Sequence, residues 1–566
     1  MNNHCRTALP QKSGFRLGHG QYRNAVASGQ SRTYEILSRI ERLSFDPTLP
    51  RYGTDLLQQW LSTFEAKLCR TAVVALLTVS FGYAVHAQTP PKFDLPKNLP
   101  RMLSKLQTHL DQARTTAKFP GAQVGFTWID SEARYYSGSV ATGISDVEHS
   151  AQLKTSDRLL AGSVGKTFVA TVALMLVEQG KLNLDDKIST WLGSESWFSR
   201  LPNSKDITLR MLLNHSSGIP DHVETSAFEK ALLKSASREV DYAELIAYVL
   251  NKKPLFPAGQ GYNYADTNYI LAGMIIEKAS GKTLYALTDE LILKPHNLQR
   301  TIPSNALVLP DVSNGYTNGK PVIVNGRFTL NPQWEWAGGG FASTAEDLSR
   351  WAAMLYGADI LTRKSLDEMF NSTAPGDGAK YGLGVMMTSS NWGRTYGHDG
   401  EFPGYVSVMR YYPQFHLAVA VMVNASETAA VGQFMSTAVD DFAADIINEL
   451  IGRELSLDQQ ENLKQLATTW LNLIDTERFV ESWQQLGNRL KTKYSETTWP
   501  KALRPLLSQA GKIKKRTFRS VGYTDSQGET VIVEFESAFA NATRARELVT
   551  MSQEDGHWRI VSYSIH

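Results

Sequence analysis

A serine and a lysine lie three positions apart at the start of a long apolar stretch, LLAGSVGKTFVATVALMLVEQGKL at residues 159–182. Ser163 and Lys166 occupy positions i and i+3, which share one face of a helix, so the lysine amine can reach the serine hydroxyl. The apolar run continues to about Gln179, and Gly180 is a favoured residue just beyond a helix end. The stretch predicts a buried helix whose first turn carries a polar pair.

The polar pair has two interpretations. A serine hydroxyl is a weak nucleophile until a neighbour accepts its proton, and a neutral Lys166 could accept it. Burial and the positive end of the helix dipole would both favour that neutral amine. The helix start would also offer the backbone N–H of Ser163 to a developing oxyanion. The alternative is an N-cap serine beside a solvated lysine, because S-x-x-K alone is a weak motif in a chain this long.

The size and composition narrow the class of protein. A chain of 566 residues is too long for one compact domain. Its 42% hydrophobic and 20% charged content and its net charge of +2 fit an ordinary soluble protein and give no sign of nucleic-acid binding. The two cysteines, Cys5 and Cys69, precede the predicted mature chain, so we expect neither disulfides nor cysteine chemistry. No metal-ligand spacing occurs, and we expect no metal or cofactor.

The segment KLCRTAVVALLTVSFGYAVHAQTPP predicts a signal peptide at residues 67–87. Basic residues precede an apolar run of about 15 residues, which is shorter than a bilayer span, and an A-x-A-like site follows it. Residues 1–66 are then a doubtful extension, arising from an over-called start or from a real disordered segment with an internal membrane anchor. We expect the mature protein in the periplasm or outside the cell.

The rest of the chain predicts two folded parts. A Pro-rich linker at 88–100 is followed by a helix at about 101–115 and by strands in GAQVGFTWID and ARYYSGSVATG. The apolar run at 417–425 predicts a central strand, so distant parts of the chain form one sheet. Helices followed by strands after residue 455 predict a small α+β domain. We place a first domain at 101–452 and a second at 455–566.

Two further motifs complete an ordered set. Tyr264-Ala265-Asp266 precedes an apolar helix, and His398-Asp399-Gly400 comes later. With S-x-x-K and the flanking sequences LLNHSSGIP and AGGGFASTAEDL, the chain resembles the serine β-lactamase superfamily over roughly residues 100–450. Class C β-lactamases, D-alanyl-D-alanine carboxypeptidases, D-amino-acid peptidases and related esterases belong to it, with the marks S-x-x-K, Y-x-N and K-T-G or H-x-G.

The resemblance implies a fold class and an activity. The fold class is a multidomain α/β–α+β protein, with an antiparallel sheet flanked by helices and an all-helical subdomain. The activity is that of a serine hydrolase with a covalent acyl-enzyme. Envelope peptides, β-lactams and ester-bearing small molecules or lipids are its possible substrates. A non-catalytic envelope protein that keeps this fold to bind peptidoglycan or a partner is the alternative, although an intact Ser163, Lys166 and Tyr264 argue against it.

The second motif departs from the family pattern. Tyr316 begins a literal Y-x-N, but it lies in a polar, turn-rich stretch, so Tyr264 is the better candidate. Asp266 replaces the family's asparagine, and an ionised carboxylate near Lys166 would favour the ammonium form. Lysine would then be a poor base. We therefore expect Tyr264 to act as the main base in acylation, as proton donor to the leaving group and as activator of water.

The third motif supplies the other candidate residues. His398 would hydrogen-bond Tyr264 or the substrate, with a charge that varies near neutral pH; a structural histidine is the alternative. By family analogy, the backbone N–H of Glu401, after Gly400, is the second oxyanion donor. Asp399 replaces a family residue that binds a substrate carboxylate. If the side chains of Asp399 and Glu401 face the site they would repel such a group, favouring neutral or amine-bearing substrates; strand alternation could instead turn Asp399 away.

The second domain, at about 460–566, resembles a family of small secreted bacterial domains of unknown function, which implies a nuclear-transport-factor-like α+β cone. Its basic run, Lys512 to Arg519, could meet anionic envelope polymers or could be a solvated face. We expect a small-molecule or peptide substrate from the envelope, no nucleic acid and no stable membrane span after signal cleavage.

Overall fold

The structure is a computed structural model. It describes residues 95–566 apart from 131, 235–239, 372, 374–379, 391, 427, 452–454, 524–529, 543–544 and 566. The predicted N-terminal extension, the signal peptide and the first part of the linker therefore lie outside the described residues.

The main sheet has seven strands in the order β11-β12-β13-β14-β1-β2-β3, and neighbouring strands run antiparallel. Its strands are β1 Gly121–Ile129, β2 Tyr135–Asp146, β3 Ala151–Gln152, β11 Met386–Ser390, β12 Gly393–Phe402, β13 Tyr405–Tyr412 and β14 Leu417–Val423. The central strand predicted at 417–425 is confirmed, because β14 lies between β13 and β1. Distant parts of the chain thus form one sheet, as predicted.

Short strands connect the sheet to the rest of the first domain. They are β4 Leu159–Leu160, β5 Ile302–Pro303, β6 Tyr316–Thr317, β7 Lys320–Pro321, β8 Ile323–Val324, β9 Arg327–Phe328, β10 Phe341–Ser343 and β15 Ala425–Ser426. The helices of this domain are α1 Leu95–Ala117, α2 Lys166–Glu178, α3 Ser189–Leu192, α4 Leu209–Leu213, α5 Ser226–Lys234, α6 Tyr242–Ala247, α7 Asp266–Ser280, α8 Leu284–Thr288, α9 Ala345–Tyr356, α10 Arg363–Asn371 and α11 Ala429–Ile451.

Helices cover both faces of the sheet, which explains why every residue of β14 is buried. Leu417, Val419, Val421 and Val423 belong to the core shared with α1 and α11, whereas Ala418, Ala420 and Met422 belong to the core shared with α9 and α2. Alternate residues of a strand point to opposite faces, so the apolar run serves two cores. We call these the α11 face and the α2 face.

Helix α1 begins at Leu95, within the stretch 88–100 that was predicted to be a linker, and it contains Pro100. Met102, Leu106 and Leu110 follow at intervals of four residues and are fully buried. That spacing places them on one helix face, and their packing in the α11-face core stabilises the helix despite its proline. The linker is therefore shorter than the sequence suggested.

Three helix ends near the site follow local sequence signals, and the end predicted at Gly180 is confirmed. Gly180 and Gly281 follow α2 and α7 with φ of 69° and 70°, the left-handed conformation that glycine adopts without strain. The side chain of Thr344 accepts a hydrogen bond from Asp347 N and caps α9. These local signals fix where the helices around the site begin and end.

The C-terminal domain is α+β, as predicted. Its helices are α12 Leu457–Asp475, α13 Phe479–Gln484, α14 Asn488–Lys493 and α15 Trp499–Ala510, and its four antiparallel strands are β16 Ile513–Tyr523, β17 Thr530–Phe539, β18 Ala545–Glu554 and β19 His557–Ile565. Residues of α11, including Phe442 and Ile446, and residues of this domain, including Trp470 and Val533, belong to one continuous buried cluster. The domain is therefore docked on the α11 side of the first domain.

Gly125 of β1 offers a test of the packing between the sheet and α9. A Cβ at this position would lie 2.3 Å from the carbonyl carbon of Ala345, a backbone atom that cannot rotate away. We expect Gly125→Ala to lower the free energy of unfolding by about 2–3 kcal/mol, measured by urea denaturation.

Gly138→Ala is the matched control, because its Cβ would meet mainly the side chains of Phe126 and Leu103, which can adjust. Equal stability losses in the two variants would show that α9 does not pack against β1 as closely as described.

Candidate active site

The serine of S-x-x-K lies on a tight turn rather than in an α-helix. Gly162–Gly165 forms a 3₁₀ helix, and α2 begins at Lys166. Side chains three residues apart are eclipsed in a 3₁₀ helix, which brings Lys166 Nζ to 2.9 Å from Ser163 Oγ. Ser163 is not the N-cap, and the Lys166 side chain is fully buried, so the alternative of a capping serine with a solvated lysine is wrong.

Three oxygens surround the Lys166 ammonium group. Besides Ser163 Oγ, Nζ contacts Asp266 Oδ1 at 2.5 Å and donates a hydrogen bond to the carbonyl oxygen of Gly338. An ammonium group has three N–H donors, so these acceptors can engage all of them. Lys166 is thus arranged as a hydrogen-bond donor that holds the serine oxygen.

Tyr264 lies beside the same ammonium group, with its ring centroid 4.9 Å from Lys166 Nζ. Its ring also packs against the ring of His215 at 4.2 Å between centroids. The backbone of the motif is held from both sides, because Ala265 N–H donates to His215 Nδ1 at 3.2 Å and Asp266 N–H donates to Asp221 Oδ1 at 3.2 Å. The structure therefore gathers Ser163, Lys166, Tyr264 and Asp266 around one charge.

The rival tyrosine occupies another setting. Tyr316 lies in the hairpin formed by β6 and β7, and its hydroxyl accepts a hydrogen bond from Val147 N–H at 2.7 Å. Its ring is buried in the α11-face core, so the polar, turn-rich stretch that contains Tyr316 forms a hairpin with a buried tyrosine. Tyr264 remains the better candidate for a site residue because its ring lies beside Lys166.

His398 is fully buried, and both of its ring nitrogens have partners. Nδ1 lies 2.6 Å from the carbonyl oxygen of Asp399, and Nε2 lies 2.8 Å from the hydroxyl of Tyr381. Because a carbonyl oxygen only accepts, Nδ1 carries the proton and Nε2 accepts from Tyr381. Burial first and the Lys166 charge second lower the pKa of His398 to about 3. The prediction of a charge that varies near neutral pH is wrong: the imidazole stays neutral because ionising it would bury a second cation.

The end of β12 forms a free edge beside the serine turn. The last pair between β11 and β12 joins Met386 to Gly397, so residues 398–402 pair with β13 on one side alone. A Cβ at Gly400 would lie 2.0 Å from the carbonyl oxygen of Ala161. A Cβ at Gly162, whose φ is 54°, would lie 2.5 Å from Glu401 N. Glycine at these two positions allows the backbone of Glu401 to approach the turn that carries Ser163.

The side chains of Asp399 and Glu401 point away from that turn. His398 pairs with Met409, which belongs to the α2-face core, whereas Asp399 pairs with Val408, which belongs to the α11-face core. Glu401 is two residues beyond Asp399 and shares its face. Asp399 Oδ1 instead lies 2.6 Å from Arg410 Nη2. Of the two alternatives left open by the sequence, the one in which strand alternation turns Asp399 away from the site is confirmed, and Glu401 lies on the same face as Asp399.

Sequence reasoning missed several neighbours of the lysine. Glu335 is almost fully buried, and burial raises its pKa well above the usual range, with Asp266 adding to the rise and Lys166 opposing it. A buried carboxyl group with a raised pKa therefore lies close enough to the ion pair to respond to both of its charges. His215 and Tyr381 were also not assigned roles, although the motif that contains His215 was recognised. Glu335 and Tyr381 stand outside the three motifs and carry no spacing signal.

Among the residues that the structure describes, no helix combines the length and apolar composition required to cross a membrane. Within the same residues, no three His, Cys, Asp or Glu side chains come together as ligands for a metal ion.

The family model described as "Beta-lactamase" matches residues 106–444, more than half of the chain. The chain belongs to this family. A second model, "Protein of unknown function (DUF4019)", matches residues 466–563. The C-terminal domain of this β-lactamase-family chain thus matches a separate family model. The prediction that this domain resembles a family of unknown function is confirmed.

Relatives of the β-lactamase-family chain include a penicillin-binding protein and a D-aminopeptidase. It is 26% identical over 315 residues to penicillin-binding protein 4* of Bacillus subtilis, covering 53% of this chain and 67% of that one. It is 24% identical to a D-aminopeptidase of Brucella anthropi, covering 51% of this chain and 54% of the relative. The crystal structure of a D-stereospecific amidohydrolase from Streptomyces sp. aligns with a TM-score of 0.50 and 28% identity, over 60% of this chain and 98% of that chain.

The buried His398 gives a prediction for the pH dependence of stability. Its pKa is about 3 in the folded protein and 6.5 without burial, so below pH 6.5 the unfolded chain binds a proton that the folded protein excludes. Stability from this group is complete above pH 6.5 and is lost as pH falls towards 3. Lowering the pH from 7.5 to 5.0 should remove about 2 kcal/mol through His398, measured by urea unfolding.

The variant His398→Asn should show a correspondingly smaller loss over this pH interval. His557→Asn, which changes an exposed imidazole of β19, is the control and should behave like the wild type. An unchanged pH dependence in His398→Asn would mean that the imidazole ionises freely and is not held neutral.

Proposed function

We propose that this chain is a secreted serine hydrolase that cleaves an amide or ester bond through a covalent acyl-serine at Ser163. The observation that supports it is the contact between Lys166 Nζ and Ser163 Oγ at 2.9 Å, with Asp266 holding the same ammonium at 2.5 Å. The β-lactamase-family match agrees with a hydrolase. The signal-peptide pattern at 67–87 supports export to the periplasm or beyond.

In the acylation step, Tyr264 as phenolate takes the proton of Ser163 Oγ, and Oγ bonds to the carbonyl carbon of the substrate. Lys166 supports both groups, because it donates a hydrogen bond to Oγ and its charge beside the Tyr264 ring favours the phenolate. Asp266 keeps the lysine charged. Lys166 therefore acts as an electrostatic partner in this mechanism, and the proton resides on Tyr264.

The negative charge of the tetrahedral intermediate needs hydrogen-bond donors. The backbone N–H of Ser163 lies in the 3₁₀ turn, and the backbone of Glu401 runs against Gly162 next to it. We assign these two N–H groups to the oxyanion. Gly400 has the role of a spacer, because any side chain there would strike Ala161 and push the Glu401 donor away.

The leaving group then departs with the proton from Tyr264, and the carbonyl carbon stays bonded to Ser163 Oγ. In deacylation, Tyr264 takes a proton from water, the hydroxide attacks the acyl carbon, and the proton returns to Ser163 Oγ as the acid product leaves. Each proton that Tyr264 takes is returned within one cycle, so the reaction consumes only water and substrate.

The face of the sheet on which the Asp399 and Glu401 side chains lie helps to define the chemical class of the substrate. Because Asp399 and Glu401 point away from the site, they give no reason to exclude substrates that carry a carboxylate. β-Lactams and D-alanyl-D-alanine peptides therefore remain candidates together with esters. Relatives named D-aminopeptidase and D-stereospecific amidohydrolase make D-amino-acid amides from the cell envelope a suitable first class to assay.

We infer that the C-terminal domain is a nuclear-transport-factor-like cone, supported by its four-stranded antiparallel sheet preceded by helices. Its basic run is partly neutralised, since Arg516 pairs with Asp475 and Glu547 and Arg519 pairs with Glu536. Those pairs favour a structural face over a site for anionic polymers. We assign the domain no substrate of its own.

A fluorophosphonate probe tests the proposed function. The activated Ser163 should form one covalent phosphonate adduct, detected by intact mass and mapped to residue 163 by peptide analysis. Ser163→Ala should show no adduct. Ser436→Ala, which removes an exposed hydroxyl of α11, is the matched control and should label like the wild type.

A wild-type chain that carries no adduct after long incubation with the fluorophosphonate would contradict the proposal. It would support the alternative, a non-catalytic protein that binds peptidoglycan or a partner. A panel of chromogenic esters, D-amino-acid amides and a cephalosporin then separates the substrate classes. Turnover of at least one class, absent in Ser163→Ala, is the expected result.

A further inference from the structure

Asp399 connects the proposed site to the opposite face of the sheet. Its backbone lies between His398 and Gly400 in the free edge of β12, while its carboxylate contacts Arg410 of β13 at 2.6 Å. This edge has a hydrogen-bonded neighbour on one side only, because β11 ends its pairing at Gly397. The ion pair is therefore a second restraint on the strand end that carries His398 and the Glu401 N–H.

Arg410 is a buried cation that needs compensation. Its side chain is 9% exposed, and Nη1 donates to the carbonyl oxygen of Met409 at 2.9 Å. Burial lowers the pKa of Arg410, but the charges of Asp399 and, further away, Asp440 offset this and leave it raised. A buried guanidinium stays in place only where carboxylates neutralise it. Asp399 and Asp440 are therefore two carboxylates that attract the same cation.

Asp440 of α11 contacts residues of both the first domain and the C-terminal domain. Its Oδ1 accepts a hydrogen bond from the hydroxyl of Tyr412 at 2.6 Å, and its Oδ2 lies 3.2 Å from Arg546 Nη1. Arg546 belongs to β18 and also donates two hydrogen bonds to Glu534 of β17, at 2.6 and 3.0 Å. Tyr412 is two residues from Arg410 on β13 and shares its face, so Asp440 lies on the same side of the sheet as the Asp399–Arg410 pair. We call Asp399, Arg410, Asp440, Arg546 and Glu534 the back-face charge row.

The charge row contains more carboxylates than cations. Three of its members are carboxylates and two are guanidinium groups, and burial raises the pKa of the neighbouring, half-buried Asp441 to about 6. Arg546 therefore neutralises the carboxylate of Asp440, which would otherwise attract the Arg410 guanidinium more strongly. Without Arg546, Asp440 would compete with Asp399 for the Arg410 guanidinium, and the restraint on the end of β12 would weaken.

We propose that Arg410 is a positioning residue for hydrolysis and that the C-terminal domain keeps it in place through Arg546. The inference rests on the proposed function, because the strand end that it restrains carries the oxyanion donor and His398. It gives the tail domain a role: docked on the α11 side, it sets the charge balance behind the proposed site. Arg410 and Arg546 touch no reacting atom.

The test uses the full chain and the rate of fluorophosphonate labelling at Ser163. Arg410→Met should slow labelling about tenfold, because a small displacement of an oxyanion donor is costly. Arg546→Met should slow it about threefold. Arg519→Met is the control, since it breaks another ion pair of the same domain, that with Glu536, and should label at the wild-type rate.

Two further variants separate positioning from loss of stability. Asp440→Asn removes the competing carboxylate, so adding it to Arg546→Met should restore labelling towards the wild-type rate. Arg546→Lys keeps the charge and should also label nearly normally. Labelling is measured well below the melting temperature of each variant, so that partial unfolding does not contribute.

The outcomes are distinct. A wild-type chain that does not label would end the proposed function. A wild-type chain that labels, with Arg546→Met labelling equally fast, would overturn this inference alone. Failure of Asp440→Asn to restore a slowed Arg546→Met would likewise overturn it, because the slowing would then arise from lost packing and not from an unbalanced carboxylate.

Discussion

The buried ammonium group of Lys166 is the charge around which this site is organised. A lone buried cation is unfavourable, and here three oxygens compensate it: the hydroxyl of Ser163, the carboxylate of Asp266 and the carbonyl of Gly338. In the proposed mechanism this carboxylate decides which residue is the base. It holds Lys166 as a hydrogen-bond donor to the serine, so that the acid–base work falls to Tyr264.

The fold makes this arrangement possible through close backbone approaches. The serine turn, Gly162–Gly165, packs between the free edge of β12 and the glycine-rich segment at 338–340, just before β10. Gly162 admits the backbone of Glu401, and Gly165 admits Gly339, since a Cβ at either position would lie within 3 Å of backbone atoms. On the opposite face of the same strand end, Asp399 contacts Arg410, through which we propose that the C-terminal domain acts on the site.

The sequence predicted elements and local motifs well, because helix caps, apolar periodicity and ordered motifs are local signals. It placed β14 at the centre of the sheet and grouped Ser163, Lys166 and Tyr264. It failed where the answer depended on packing between distant segments. The neutral state of His398 follows from its burial and the nearby lysine, the direction of Asp399 from strand register, and the presence of Glu335 from a turn with no motif. The first helix also extends into the predicted linker because its apolar face is buried.

The dependence of kcat/KM on pH in Asp266→Asn, with a chromogenic ester as substrate, tests the central claim most directly. Removing a carboxylate 2.5 Å from Lys166 lowers the proton affinity of the group of basic residues, so the acidic limb of the profile should move to lower pH by about one unit or more. Asp266→Glu, which keeps the charge, should stay close to the wild type. An acidic limb at the same pH in Asp266→Asn and the wild type would contradict the account, because the ion pair would then have no part in setting the base.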